Sequence, residues 1–255
     1  MTEKRKTNHT CDECLTRVND EQKYCHNCGS YLSSEVVSVS IFNNTDLRQI
    51  FMFYFVYLFV CLFVKNSPWF NTYDELFWVE IILAAITLRF VYLNRIAIRT
   101  VLKFNNFKWP VLLGVIAIAA VGSFIVSISV QQLNVTFFHN EVNYFKAFKL
   151  YTFPTLIMLY SIALMPAVFE ELAFRGVMYH YCTNFLDNRL VVVVTAFLFA
   201  IMHLSMISLA WLIPFGIFIG NLRRKYNTLW YGIIFHFVFN LVACIFDLYR
   251  QGELF

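Results

Sequence analysis

The chain has 255 residues, 59% of them hydrophobic and only 14% charged. A soluble fold of this length has too little interior to hide so much apolar surface, so composition excludes an ordinary water-soluble domain and points to a multi-pass membrane protein. The formal net charge of +4 is modest; no nucleic-acid partner is expected, and the placement of lysine and arginine carries more information than their sum.

The chain begins MTEKRKTNHTCDECL, positive charge with no apolar stretch behind it. No cleavable signal peptide is therefore expected, and the head should stay in the cytosol. Cys11, Cys14, Cys25 and Cys28 follow as C-x2-C-x10-C-x2-C. Four thiolates at this spacing close a tetrahedral structural zinc site, and a segment this short and polar takes most of its folding free energy from the metal. Two disulfides or a redox pair are the alternative, and a cytosolic head argues against the disulfides. Gly29 supplies the positive-φ residue that such a knuckle often requires, and His26 is a spare ligand beside four cysteines that already suffice. Residues 1–32 thus read as a zinc ribbon and residues 33–48, serine-rich and weakly patterned, as a linker. Cys61, Cys182 and Cys244 stand alone in apolar surroundings and read as packing residues.

A spanning helix needs about 20 apolar residues. Seven segments qualify: 49–64, 76–94, 110–130, 151–174, 190–207, 209–222 and 229–248. The expected fold is all-α and polytopic, with about seven transmembrane helices behind the small cytosolic head. Arg89, Arg95, Arg99, Lys103 and Lys108 lie around one loop, and Arg223, Arg224 and Lys225 in another. With a cytosolic N-terminus, seven spans put both loops in the cytosol, as the positive-inside rule asks of a protein in the cell membrane. The segment from Gln131 to Leu150 then faces outward, as an amphipathic interfacial helix or an ordinary loop. Gly216 and Gly220 form G-x-x-x-G, read as close packing inside the bundle.

Charge inside these spans is sparse. An ionised group at mid-membrane costs about 2.5–3.5 kcal/mol even on the lenient insertion scale, yet Glu170, Glu171 and Arg175 follow directly on an apolar run. Helical spacing pairs Glu171 with Arg175, four residues on, and turns Glu170 about 100° away. Downstream, Phe199 and His203 are four apart, as are His236 and Asn240. At about 1.5 Å per residue, Glu170 and the two histidines fall at overlapping depths, toward the cytosolic side. Glu170, His203 and His236 are the donor set of an open catalytic metal site; alternatively, a desolvated Glu170 takes a proton from water held by the histidines. Asn240 offers its amide N–H groups to an oxyanion. Either arrangement suits hydrolysis of a peptide bond.

In order, Glu170-Glu171-x-x-x-Arg175, Phe199-x-x-x-His203 and His236-x-x-x-Asn240 resemble the motifs of the CPBP family of intramembrane proteases, also called the Abi or CAAX-protease family. That family includes enzymes that trim prenylated CAAX proteins and bacterial relatives linked to bacteriocin processing and self-immunity. The resemblance covers roughly residues 150–248, so residues 49–150 read as N-terminal transmembrane helices and 151–248 as the catalytic core. It implies that Glu170 is the catalytic carboxylate, that His203, His236 and Asn240 surround the hydrolytic water, and that Glu171, Arg175 and Phe199 support them. It further implies a membrane-associated peptide or protein substrate; the ribbon lies outside the shared region and, with its cysteines filling a metal site, reads as recruiting a protein partner or substrate. The competing readings are a non-catalytic membrane scaffold or immunity-type regulator, and a proton-coupled transporter, for which internal repeats are missing.

Overall fold

The computed structural model describes residues 8–19, 22, 24–32, 41–70, 72–104, 107–139 and 141–253. Two strands, β1 (Asn8–Thr10) and β2 (Arg17–Asn19), pair antiparallel in the head. Behind them come α1 (Thr45–Asn66), α2 (Tyr73–Leu93), the short α3 (Arg95–Val101), α4 (Trp109–Phe138), α5 (Pro154–Cys182), α6 (Asn188–Met202), α7 (Leu209–Tyr226) and α8 (Trp230–Gln251). Of the expected linker, residues 33–40 lie outside the described residues, and Thr45 already opens α1.

Local chemistry sets the ends. The Asn44 side chain accepts from Leu47 N at 2.8 Å ahead of α1, and Thr72 N donates to Glu75 Oε2 at 2.9 Å to box the start of α2. Prolines open α4 and α5, where a missing N–H costs nothing. Asn227 and Gly252 close α7 and α8 in the left-handed conformation.

All seven expected spans are helical, but they are not equivalent. Five helices, α1, α2, α4, α5 and α8, are long and apolar enough to cross a membrane. Their outward side chains, such as Leu113, Val121, Phe124 and Ile125 on α4, are large and exposed, a face suited to lipid rather than water. The α6 helix has only 15 residues, and α7 spends its last turn on Arg223, Arg224 and Lys225. These two form a helical hairpin that turns at 203–208, where the Lys65 ammonium donates to the carbonyl of Leu204. Length and composition thus support five spans, and a count of seven is not confirmed.

Gly216 and Gly220 close the hairpin: a Cβ at either would stand 2.9 Å from Ala196 or Val192 of α6. The G-x-x-x-G face is thus used inside the bundle. Among the described residues, no separate amphipathic helix covers Gln131–Leu150, where only a single 3-10 turn, Phe145–Ala147, follows α4. The α4 helix runs on to Phe138, and after it Phe145 and Phe148 are buried, with Phe145 N donating to Asp247 Oδ2 at 2.9 Å.

Contacts sort the helix ends into two layers. At the ribbon end, Asn184 Nδ2 meets Asp46 Oδ2, Asn94 Nδ2 meets the Tyr181 hydroxyl, and Leu229 N donates to Val101 O. Both basic loops lie in this layer. The opposite layer holds Tyr73, the segment 141–153 and the end of α8.

Candidate active site

The four cysteines of the head, a candidate metal centre, sit on two equivalent turns. Cys11 N donates to Thr16 O and Cys25 N to Ser30 O, while Leu15 N and Gly29 N return to the carbonyls of Cys11 and Cys25. Each turn closes on a positive φ, +80° at Gly29 and +56° at Leu15. Leu15 was not foreseen: glycine takes this region freely, whereas leucine gives up about 1–2 kcal/mol to enter it. All four thiols are free, and their sulfurs lie within 4.8 Å of one another. Cys11 and Cys28 are 3.6 Å apart, Cys14 and Cys25 3.4 Å, close to the roughly 3.8 Å edge of a tetrahedron with 2.3 Å zinc–sulfur bonds. The residues therefore fit a structural zinc. The Thr16 hydroxyl pulls the Cys14 thiol down to about 5, and the Ser30 hydroxyl lowers Cys11, while burial raises Cys25 to about 11. A bound dication would favour the thiolate at all four.

In the membrane core, α5 carries the two glutamates on a helix widened twice, at Leu159–Leu164 and Leu172–Met178, where the backbone adopts π geometry. Pro166 has no N–H to give the carbonyl of Ile162 four residues earlier. That carbonyl instead accepts from Asn240 Nδ2 of α8 at 2.8 Å. One of the amide's two hydrogens is thereby committed, and the side chain is fixed in place.

Glu171 and Arg175 pair as spacing predicts, with Nη1 to Oε1 at 2.9 Å and both side chains buried. The same Oε1 lies 3.1 Å from His236 Nδ1, a third member that helical periodicity within α5 could not reveal. Arg175 Nη2 also approaches Gly216 O at 3.4 Å, and its guanidinium lies 4.3 Å from the Phe199 ring centre. Phe199 thus supports the site through a cation–π contact, and its carbonyl lies 3.0 Å from His203 Nδ1. A carbonyl and an arginine-bound carboxylate both accept, so each histidine donates from Nδ1.

Gly232, one turn before His236, makes this proximity feasible, because a Cβ there would lie 2.8 Å from Glu171 Oε2 and 2.7 Å from Ile219. Nothing in the sequence singled out this glycine.

Glu170 points elsewhere. Its Oε2 is 3.9 Å from His236 Nε2 and, though buried, has no hydrogen-bond partner among the described residues. With His203, His236 and Asn240 it lines one cavity of about 410 Å³. The four residues singled out by sequence are therefore brought to one space. They do not form a closed metal cage: Glu170 and His236 approach each other, but His203 does not join them in a group as tight as the cysteines, the one such cluster among the described residues.

Two features of this space were missed. Beyond Asn240 the wall continues through Gln131, Val142, Tyr144, Asp247 and Arg250, away from the ribbon. A second, smaller cavity of about 60 Å³ joins Glu170 to Glu80 of α2, whose Oε2 is likewise buried without a partner. Glu80 lies within an apolar run, and that placement was its available signal.

The described helices bring a carboxylate, two imidazoles and an amide to one cavity between apolar helices. Residues 152–242 match the family described as type II CAAX prenyl endopeptidase Rce1-like, so the resemblance carried by the three motifs holds over that segment. No curated protein and no solved structure matches the chain.

Proposed function

We propose that this chain is an intramembrane endopeptidase that cleaves a membrane-associated peptide or protein with a water activated by Glu170. The observation that carries the reading is the contrast between adjacent carboxylates. Glu171 Oε1 is spent on Arg175 and His236, whereas Glu170 Oε2 lies 3.9 Å from His236 Nε2 and, among the described residues, makes no hydrogen bond. A carboxylate oxygen so placed on the cavity wall can accept the proton of a water held there.

In this reading a water lies between Glu170 and the Nε2 atoms of His236 and His203. Glu170 takes its proton, the hydroxide adds to the scissile carbonyl, and the second N–H of Asn240 stabilises the oxyanion. Collapse breaks the C–N bond as Glu170 returns the proton to the departing amine, which restores the carboxylate. The core of the enzyme is the segment 151–248, with residues 49–150 as supporting spans and the ribbon of residues 1–32 as a recruiting module. The basic loops orient the ribbon end to the cytosol, so the cavity extends toward the outer leaflet.

The test is Glu170→Gln in the full chain. Cleavage of a membrane-anchored peptide library should fall by about 10³-fold or more, as for loss of a general base that also positions the nucleophile, with insertion and thermal midpoint unchanged. Retained cleavage would remove Glu170 from the mechanism and leave the non-catalytic scaffold as the better account.

A further inference from the structure

A second large cavity, of about 910 Å³, lies at the ribbon end of the molecule, remote from the proposed catalytic space. One wall is the second zinc knuckle, from His26 to Gly29. The others are the last turn of α5 at Tyr179, His180 and Thr183, the start of α6, and the last turn of α7. The knuckle is held over the bundle by Asn188 Nδ2, which donates to the carbonyl of His26 at 3.1 Å. The volume falls in the range of small-molecule sites.

The lining is strongly cationic. Arg189, Arg223, Arg224 and Lys225 face the cavity against a single carboxylate, Asp187. That carboxylate is already engaged, since Asp187 Oδ1 accepts from Arg189 N and Leu190 N at 2.8 and 3.1 Å as the cap of α6. Among the described residues none of the four cations forms an ion pair with a carboxylate. The positive-inside rule accounts for cations at this end of the bundle. It does not account for their convergence from two helices on a concave space roofed by a separate module.

One of the four is also pre-positioned. Arg223 Nη1 donates to Asn227 Oδ1 at 2.6 Å, its guanidinium lies 4.9 Å from the Tyr179 ring, and Nε donates to the carbonyl of Arg175 at 3.3 Å. Fixed guanidinium groups are the side chains best matched to phosphate oxygens. We infer that this cavity is a binding site for a phosphate-bearing ligand, clamped between the zinc ribbon and the basic ends of α6 and α7. The ligand supplies the negative charge that the lining lacks and ties the ribbon to the bundle. Through Arg223 and the Arg175 carbonyl it also touches the segment that holds Glu171, which gives the site a route to regulate the core.

The phosphate can come from a lipid headgroup or from a soluble molecule, and two arms separate these sources. Full-chain protein in neutral detergent is titrated with pyrophosphate against chloride at equal ionic strength, and full-chain protein in phosphatidylcholine nanodiscs is compared with and without phosphatidylglycerol. The readout is the thermal midpoint, for the natural chain and for Arg189→Gln/Arg224→Gln/Lys225→Gln, whose three positions are exposed. The expected result is a rise in midpoint in at least one arm, with the half-saturating concentration or lipid fraction increased about tenfold or more in the triple variant. Response to pyrophosphate identifies a soluble ligand, and response to phosphatidylglycerol alone a headgroup. Stabilisation in neither arm, or equal stabilisation of the variant, would overturn the site.

Discussion

Removing the charge of Glu171 would leave Arg175 and His236 facing each other where no water can replace the lost carboxylate. Breaking a buried ion pair from one side costs about 3–5 kcal/mol, so Glu171→Gln should lower unfolding free energy by about that amount in detergent denaturation. Glu170→Gln removes a charge that makes no hydrogen bond among the described residues and stands 3.9 Å from His236 Nε2, so its unfolding free energy should stay within about 1 kcal/mol of the natural chain. Equal losses in the two variants would show that the adjacent carboxylates share one structural role. The division was legible from the sequence because positions four apart share a helix face. The assignment of His236 to Glu171 was not, since contacts between α5 and α8 lie outside the reach of periodicity.

On the scale of elements, the widened turns of α5 do what a regular helix could not. Pro166 frees the carbonyl of Ile162, and Asn240 takes it. Pro166→Ala would restore a competing N–H within α5, so the amide of Asn240 should lose its anchor. Cleavage is expected to fall by about tenfold or more, while the thermal midpoint holds or rises, because a helix-interior proline costs about 3 kcal/mol. A parallel fall in stability and activity would instead make Pro166 a packing residue. At Gly232 the expectation differs: the added methyl of Gly232→Ala meets Ile219 and Glu171 at under 3 Å, so stability should drop by about 1–3 kcal/mol along with activity. The motif residues could be read from the sequence because each bears an unusual group in an apolar run. Gly232, Leu15 and the length of α4 could not, since each answers to a neighbour distant in sequence or to a backbone angle. The seven hydrophobic segments were visible, but hydropathy alone does not distinguish a full span from the shorter hairpin of α6 and α7.

At the scale of the whole molecule, the two ends carry different chemistry. The ribbon, both basic loops and the phosphate-type cavity share one layer, while the proposed catalytic cavity extends into the other. Cys14→Ser with Cys25→Ser should remove one zinc per chain by metal analysis yet leave the bundle inserted, because the head has its own small core of Cys11, Val18 and Cys25; unchanged zinc content would refute the ribbon. Sidedness has a separate test. Glu141, next to the cavity-lining Val142 and 68% exposed, pairs with the cavity-lining Arg250 at 3.2 Å, and Arg224 lines the opposite cavity. With the ribbon in the cytosol, a membrane-impermeant maleimide applied to intact cells should label Glu141→Cys and spare Arg224→Cys, which becomes reactive only after lysis. The reverse pattern would put the cavity mouth in the cytosol and make the basic loops an exception to the positive-inside rule. The first pattern would mean that substrate reaches Glu170 from the face opposite the ribbon, so that a partner held by the head acts on the core through the helices rather than by handing substrate to it.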